Sequence, residues 1–462
     1  MRSVSLARLA LVAGLCLAAV AAVPSGAATS RAATFGTGTP TYVVSAAPRE
    51  LPNVDFAAEP SLGMSWKSGN ALFMANTSTY KLRFDDRAQP PTVSWSNVSS
   101  PYSLFNMDPI LATDPATGVT LAGGDDGACA VMSRTQDDGE SWTAAMPCTG
   151  VIDHPTVGLG PFHSPVPAGA AGTTAAYFCQ QYPILNQCSR SVDGGGTWSP
   201  AVTTRGCAGL FGHVKVGPDG TAIIPSNSCY TGGAPFVGES GVGGFLSRDN
   251  GLTWSQYVIP NTPWPDRGFD PSVAIGLDGT VFQAWTGEGN AHPMVAVSND
   301  GTAHWGKPVD LAATVNPPLV GSSFSAAVAG GPGRAAVAFL GTQHEPKQGV
   351  SPYDDELAVW HLYVSMTYDG GATWKTTQVT TDPVQRGPIA DGGTTAVDAR
   401  NLLDFIDAGV TREGRVVVAF ADGCTATTLC TVEDAPRSTS TAADATVAYQ
   451  ASGRGLFAQY DR

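Results

Sequence analysis

Charge is scarce in this 462-residue chain: Asp, Glu, Lys and Arg supply only 14% of it, and the basic kind is the rarer, with 25 Lys and Arg against 39 Asp and Glu. The formal charge of −14 gives a surface that does not attract nucleic acid or anionic membranes. No CxxC pair occurs among the nine cysteines, so a zinc site is not expected, and no metal or cofactor is assigned. Beyond the first two dozen residues no apolar run is long enough for a membrane helix. Glycine (54) and proline (34) are abundant instead, with a mean hydropathy near zero. This is the composition of many short strands joined by tight turns around a sizeable core.

The N-terminus reads as a signal peptide over residues 1–28. Arg2 and Arg8 supply the positive end, Leu9 to Val23 the short apolar stretch, and Ser25 to Ala28 the small residues at which cleavage is expected. Lipid anchoring at Cys16 is disfavoured by Leu15, which stands where a small residue is needed. Residues 29–40 read as a flexible segment and 41–462 as one domain. The expectation is a secreted, extracellular, monomeric protein. Loss of the leader leaves eight cysteines, an even number suited to an oxidising compartment. They fall in close sequential pairs, Cys129 with Cys148, Cys179 with Cys188, Cys207 with Cys229 and Cys424 with Cys430, and neighbour pairing is the expected connectivity.

One octapeptide recurs as Thr135–Trp142, Ser191–Trp198, Ser247–Trp254 and Thr367–Trp374, with a looser copy at Ser298–Trp305. In each the Asp (Asp137, Asp193, Asp249, Asp300, Asp369) precedes the Trp by five residues, and successive Trp spacings are 56, 56, 51 and 69. Such a period signals a repeat architecture. Physically the octapeptide is a hairpin turn. The Asp accepts turn amides, Gly supplies positive φ, and Trp packs between neighbouring sheets. A second unit, of the form DPSVAIGLDGTVFQAW from Asp270, lies upstream of the boxes and occurs seven times. Each unit gives strands A and B of a blade, and the box then links strands C and D. The prediction is all-β: a propeller of seven four-stranded antiparallel blades, with six as the alternative and Thr41–Ala46 closing the last blade.

The octapeptide resembles the Asp-box, or BNR repeat, of the sialidase superfamily. The resemblance spans almost the whole chain after the leader. It implies a β-propeller in which the box is structural and its Asp carries no chemistry. Sialidases proper have six blades, an Arg triad, a Tyr nucleophile assisted by Glu, and an Asp acid/base. Their first Arg lies in an Arg-Ile-Pro motif, where this chain reads Ala58-Glu59-Pro60. The nucleophilic Tyr has no identifiable counterpart, so the resemblance carries the fold and not the activity.

In a propeller the A strands line a central channel, and the loops from D to the next A open on the face away from the boxes. Long connections at 177–189, 225–244, 341–360 and 422–442 are expected on that face, with all four disulfides. The A-strand openings Glu59, Asp108, His154, His213, Asp270, Phe324 and Asp404 are expected at the channel mouth, and six of these seven can titrate. Two readings stand: strand-capping residues, or a convergent cluster with shifted pKa values. As a cluster, Asp108, Asp270, Asp404 and Glu59 offer the carboxyl pair of a glycosidase. His154 or His213 offers the general base of a polysaccharide lyase. Arg267, Arg386 and Arg400 on D-to-A loops offer a cationic substrate pocket. The first expectation is glycoside hydrolysis on an extracellular glycan or glycoconjugate, with a lyase or a non-catalytic binding module as alternatives.

Overall fold

The computed structural model describes residues 36–461, except 104–107, 126–128, 146–152, 183–184, 209–210, 264–268, 288–290, 390–400, 425–429 and 431–441. The signal-peptide reading, with Cys16, lies outside the described residues, as do Cys148, Arg267 and Arg400.

Seven antiparallel sheets form the seven blades. Strands A to D of blade 1 are Ser61–Met64, Ala71–Ala75, Ser78–Asp85 and Thr92–Asn97, and blades 2 to 6 repeat the order along the chain. Their A strands are Ile110–Thr113, Asp153–Pro161, Lys215–Val216, Ser272–Ile275 and Gly321–Ala329. Blade 7 takes Asp407–Val410, Val416–Asp422 and Asp444–Ser452 from the C-terminal end of the chain, and Thr41–Ala46 from the N-terminal end as its outer strand. That last pairing closes the circle without a covalent link. The seven-blade count, read from the repeats, is therefore the observed one.

Strands such as Ala71–Ala75 and Val416–Asp422 are almost wholly buried because neighbouring blades cover both faces. The apolar clusters lie between blades, as where Leu62, Met64 and Phe73 pack on Val417 and Val447. Each such side chain taken fully out of water contributes roughly 1.5–3 kcal/mol. Glycine permits the closest approach at the axis. A Cβ on Gly158 would stand 2.5 Å from Val214, and one on Gly409 2.4 Å from Met64.

The five box turns share one hydrogen-bond scheme. Asp193 accepts the amide of Thr197 at 2.8 Å and its hydroxyl at 2.8 Å, while Ser191 Oγ accepts the Gly195 amide at 2.8 Å. In the looser copy His304 replaces the hydroxyl residue and bonds Asp300 through Nδ1 at 2.6 Å. Thr302 there holds φ +79°, where the other copies place Gly139, Gly195, Gly251 and Gly371. A β-branched residue is strained in that region. Each box Trp packs against a cluster between two blades, as Trp142 does beside Leu72, Met74 and Leu111. Asp193→Ala is expected to cost about 1–2 kcal/mol through the lost turn bonds, read as a lower Tm, with ligand affinity unchanged because the turn lies on the opposite face from the mouth. A folded variant of normal Tm that loses ligand binding would show the faces reversed.

Two of the expected long connections are strand instead. Residues 177–189 lie mostly in the hairpin of Thr174–Tyr182 and Leu185–Ser191, and 225–244 extend Ala222–Tyr230 and Ser240–Ser247 around a short loop. In the first, Cys179 and Cys188 face each other across the strands and are bridged, so the disulfide pins a hairpin and not a loop. Cys207 is bridged to Cys229 and Cys424 to Cys430, the neighbour pairings expected.

Candidate functional site

Each A strand is the inner edge of its blade, and its unpaired amides must find acceptors. The preceding blade of the ring supplies several of them. Thr156 Oγ1 accepts Val214 N at 2.9 Å, Ser272 Oγ accepts Ala327 N at 2.9 Å, and Asp407 Oδ2 accepts Leu62 N at 3.0 Å. These bonds fix the register around the axis and sort the mouth into two tiers. The outer tier reads Glu59, Asp108, His154, Phe211, Asp270, Phe324 and Phe405. Two residues further along each strand, the inner tier includes Ser61, Thr156, His213, Ser272 and Asp407.

Glu59, His154 and Phe324 have φ values of +55°, +52° and +54°. Around His154 and Phe324 the pairing with strand B slips, between 153 and 156 and between 323 and 326. A bulge of this kind re-aims a side chain at the cost of local strain, and such strain concentrates at ligand sites.

All six titratable residues expected at the mouth are brought into one electrostatic neighbourhood. Glu59 lies beside Asp404, with which it shares a hydrogen bond, and near Asp108 and His154. Its burial, followed by the Asp404 and Asp108 charges, holds its carboxyl well above the usual carboxylate range. His154 Nε2 lies 2.9 Å from Asp270 Oδ2 and 3.1 Å from the Phe211 carbonyl, while its amide donates to Asp108 Oδ2 at 3.2 Å. Burial alone would lower the His154 pKa, but Asp270 above all, then Asp404 and Asp108, outweigh it and raise it to about 10. His154 is thus a cation at neutral pH. Glu59 and Asp270 are buried, while His154, Asp108 and Asp404 keep some exposed surface. Among the described residues Glu59 Oε2 and Asp270 Oδ1 have no hydrogen-bond partner.

His213 and Asp404 do not stand where strand counting puts them. Phe211 and Phe405 hold the outer-tier positions of blades 4 and 7. His213 falls one tier deeper, with the Phe405 ring on it edge to face at 4.4 Å. Its Nδ1 is 3.7 Å from Asp407 Oδ2, and Lys215 Nζ is 3.2 Å from Asp407 Oδ1. Burial would raise the Asp407 carboxyl, but Lys215, His213 and the Leu62 amide together hold it well below the ordinary range. Asp407 and Lys215 escaped the sequence reading. The signal was present, since Asp407 occupies the position at which Thr156 and Ser272 accept the neighbouring strand. Arg386 donates to the Cys430 carbonyl at 2.8 Å.

No protein-family model and no curated protein matches the sequence. Among solved structures, a protein of unknown function from Dyadobacter fermentans DSM 18053 is 14% identical, with 88% of this chain and 97% of that one covered at a TM-score of 0.44. The PL25 ulvan lyase is 13% identical, with 92% and 95% covered at 0.43. The Hadza microbial sialidase Hz136 is 14% identical, with 87% and 66% covered at 0.41. These are propeller likenesses and bear on no activity.

Proposed function

We propose that this chain is a secreted, Asp-box type propeller that acts on extracellular carbohydrate by acid–base chemistry at the channel mouth, with glycoside hydrolysis as the reaction. The observation that carries the reading is the buried Glu59 carboxyl, hydrogen-bonded to Asp404 among the carboxyls of the mouth. Burial and the neighbouring Asp404 and Asp108 carboxyls raise the Glu59 carboxyl well above the usual range, the direction a general acid needs, and Asp270, tied to the same group through His154, supplies the second carboxyl of a glycosidase. His154, fixed as a cation by Asp270, provides positive charge toward an anionic sugar or a departing oxygen.

That same charge argues against the lyase alternative with His154 as base, since a base must be neutral at the working pH. Arg386 is committed to a carbonyl, so an Arg triad for a substrate carboxylate draws no support from it. The test is a panel of sialosides, neutral glycosides and uronate polymers. Turnover of a glycoside with release of a reducing sugar is expected. Unsaturated products would install the lyase reading, and binding without turnover the binding module.

A further inference from the structure

The mouth closes only one end of the channel. Below it lies a well of about 410 Å³, lined by the A strands of all seven blades. Its walls are apolar, among them Leu111, Leu159, Val216 and Ile275. Its rim is formed by A-to-B turns carrying Trp66, Pro115, Pro218 and Leu277, and Leu277 is 50% exposed. The well therefore opens on the face of the box turns, away from the proposed glycan site. A volume of this size lies within the ~300–1,000 Å³ of small-molecule pockets.

The floor is polar. His213 and Lys215 line it, and Asp407 lies just behind, its two oxygens engaged by Lys215, His213 and the Leu62 amide. Lys215 is the one cationic chain among the described lining residues, and 29% of its side chain is exposed. An ammonium has three donors, and among the described residues only the bond to Asp407 uses one. The other lining carboxylate, Asp114, is occupied by its own turn. It accepts from the Ala116 amide at 3.0 Å, from Thr117 at 2.7 Å and from Thr174 at 2.6 Å. What the well offers a ligand is thus an apolar shaft with cationic donors at its inner end.

We propose that this well binds a small amphiphile with one anionic end, a medium-chain carboxylate, seated with its carboxylate on Lys215 and its chain along the shaft toward the rim. Burial of the chain supplies affinity and the charge-assisted bond to Lys215 supplies the preference for an acid over an alcohol. The site is distinct from the proposed acid–base group, because Glu59, Asp108, His154, Asp270 and Asp404 do not line it and His213 alone is shared with the mouth.

Titration calorimetry with decanoate and decanol tests it on the full-length mature protein. Decanoate is expected to bind saturably at one site per chain, and decanol at least about tenfold more weakly. Ala112 and Ala329 line the shaft and are half-buried, so Ala112→Phe and Ala329→Phe each fill it and are expected to abolish binding with glycan turnover unchanged. Lys215→Gln is expected to bring decanoate down to the level of decanol. Absence of saturable decanoate binding below its micelle concentration would overturn the proposal. So would binding of undiminished strength in both filled variants, or a preference for decanoate that survives Lys215→Gln.

Discussion

Glu59→Gln is expected to lower glycan turnover at least about 100-fold, the range associated with loss of a general acid, while making the protein more stable in alkali than the wild type. The two effects have one cause. Glutamine keeps the shape and can still donate to Asp404, but it has no proton to give to a leaving group. Burial and the Asp404 and Asp108 charges raise the folded pKa of Glu59 far above the unfolded value of about 4.3. A raised folded pKa means that the folded state holds its proton more tightly. The associated stability is fully present below the unfolded pKa and is lost as pH rises through the folded one. His154 adds a second contribution of the same sign, present below about 6.5 and lost as pH rises toward about 10. The wild type should therefore lose Tm steadily on the alkaline side. Glu59→Gln removes the Glu59 share, so its Tm relative to wild type should rise with pH. Unchanged turnover would remove Glu59 as the acid. A variant Tm that falls relative to wild type as pH rises would show that Glu59 is ionised in the folded protein.

The architecture was legible because it repeats. Five turns with a fixed Asp-to-Trp spacing and seven copies of an A–B unit define blades whatever the strand boundaries are, and Thr41–Ala46 stands ahead of the first unit as the closing strand of the last blade. The mouth was legible to the resolution of a strand and no further. Glu59, Asp108, His154 and Asp270 share the outer tier because Asp-Pro, Glu-Pro or His-Pro starts their strands. His213 and Asp404 belong to blades whose entry lacks that proline, and there the count slips, by two residues at Phe211 and by one at Phe405. In both blades the regular pairing of the A strand with strand B begins only at Lys215 and at Asp407, so hydrophobic period could not register which residue opens the mouth. The hairpins at 174–191 and 222–247 were mistaken for loops for a related reason. Their Gln, Asn, Ser and Gly content looks like surface, yet most of these residues are buried against neighbouring blades. The well escaped notice altogether, because its walls are ordinary strand residues and only closure of the circle makes them converge.

Asp407→Ala is expected to be the most damaging single substitution at the axis, at about 3–5 kcal/mol. Asp407 is buried, and three groups depend on it: the Leu62 amide at 3.0 Å, Lys215 at 3.2 Å and His213 at 3.7 Å. Alanine would leave an inner-edge amide without its acceptor and Lys215 without its counter-charge, and removing one partner of a buried pair costs far more than replacing both. The loss falls between blades 7 and 1, where blade 7 is itself completed by Thr41–Ala46 pairing with Asp444–Ser452. Asp407→Asn keeps an acceptor for Leu62 and should cost less. The double variant Asp407→Ala with Lys215→Met should recover part of the single-variant loss, because no buried charge is then left unpaired. The acid side carries the sign check. The folded pKa of Asp407 is depressed by Lys215, His213 and the Leu62 amide acting against burial. Its contribution is therefore present above the unfolded value of about 3.9 and is lost as pH falls below it. Urea unfolding of wild type and Asp407→Ala should show a full gap at neutral pH that narrows below about pH 4. A gap under about 1 kcal/mol at neutral pH, or a double variant no more stable than Asp407→Ala, would mean that the buried charges at the axis are relieved by solvent and not by one another.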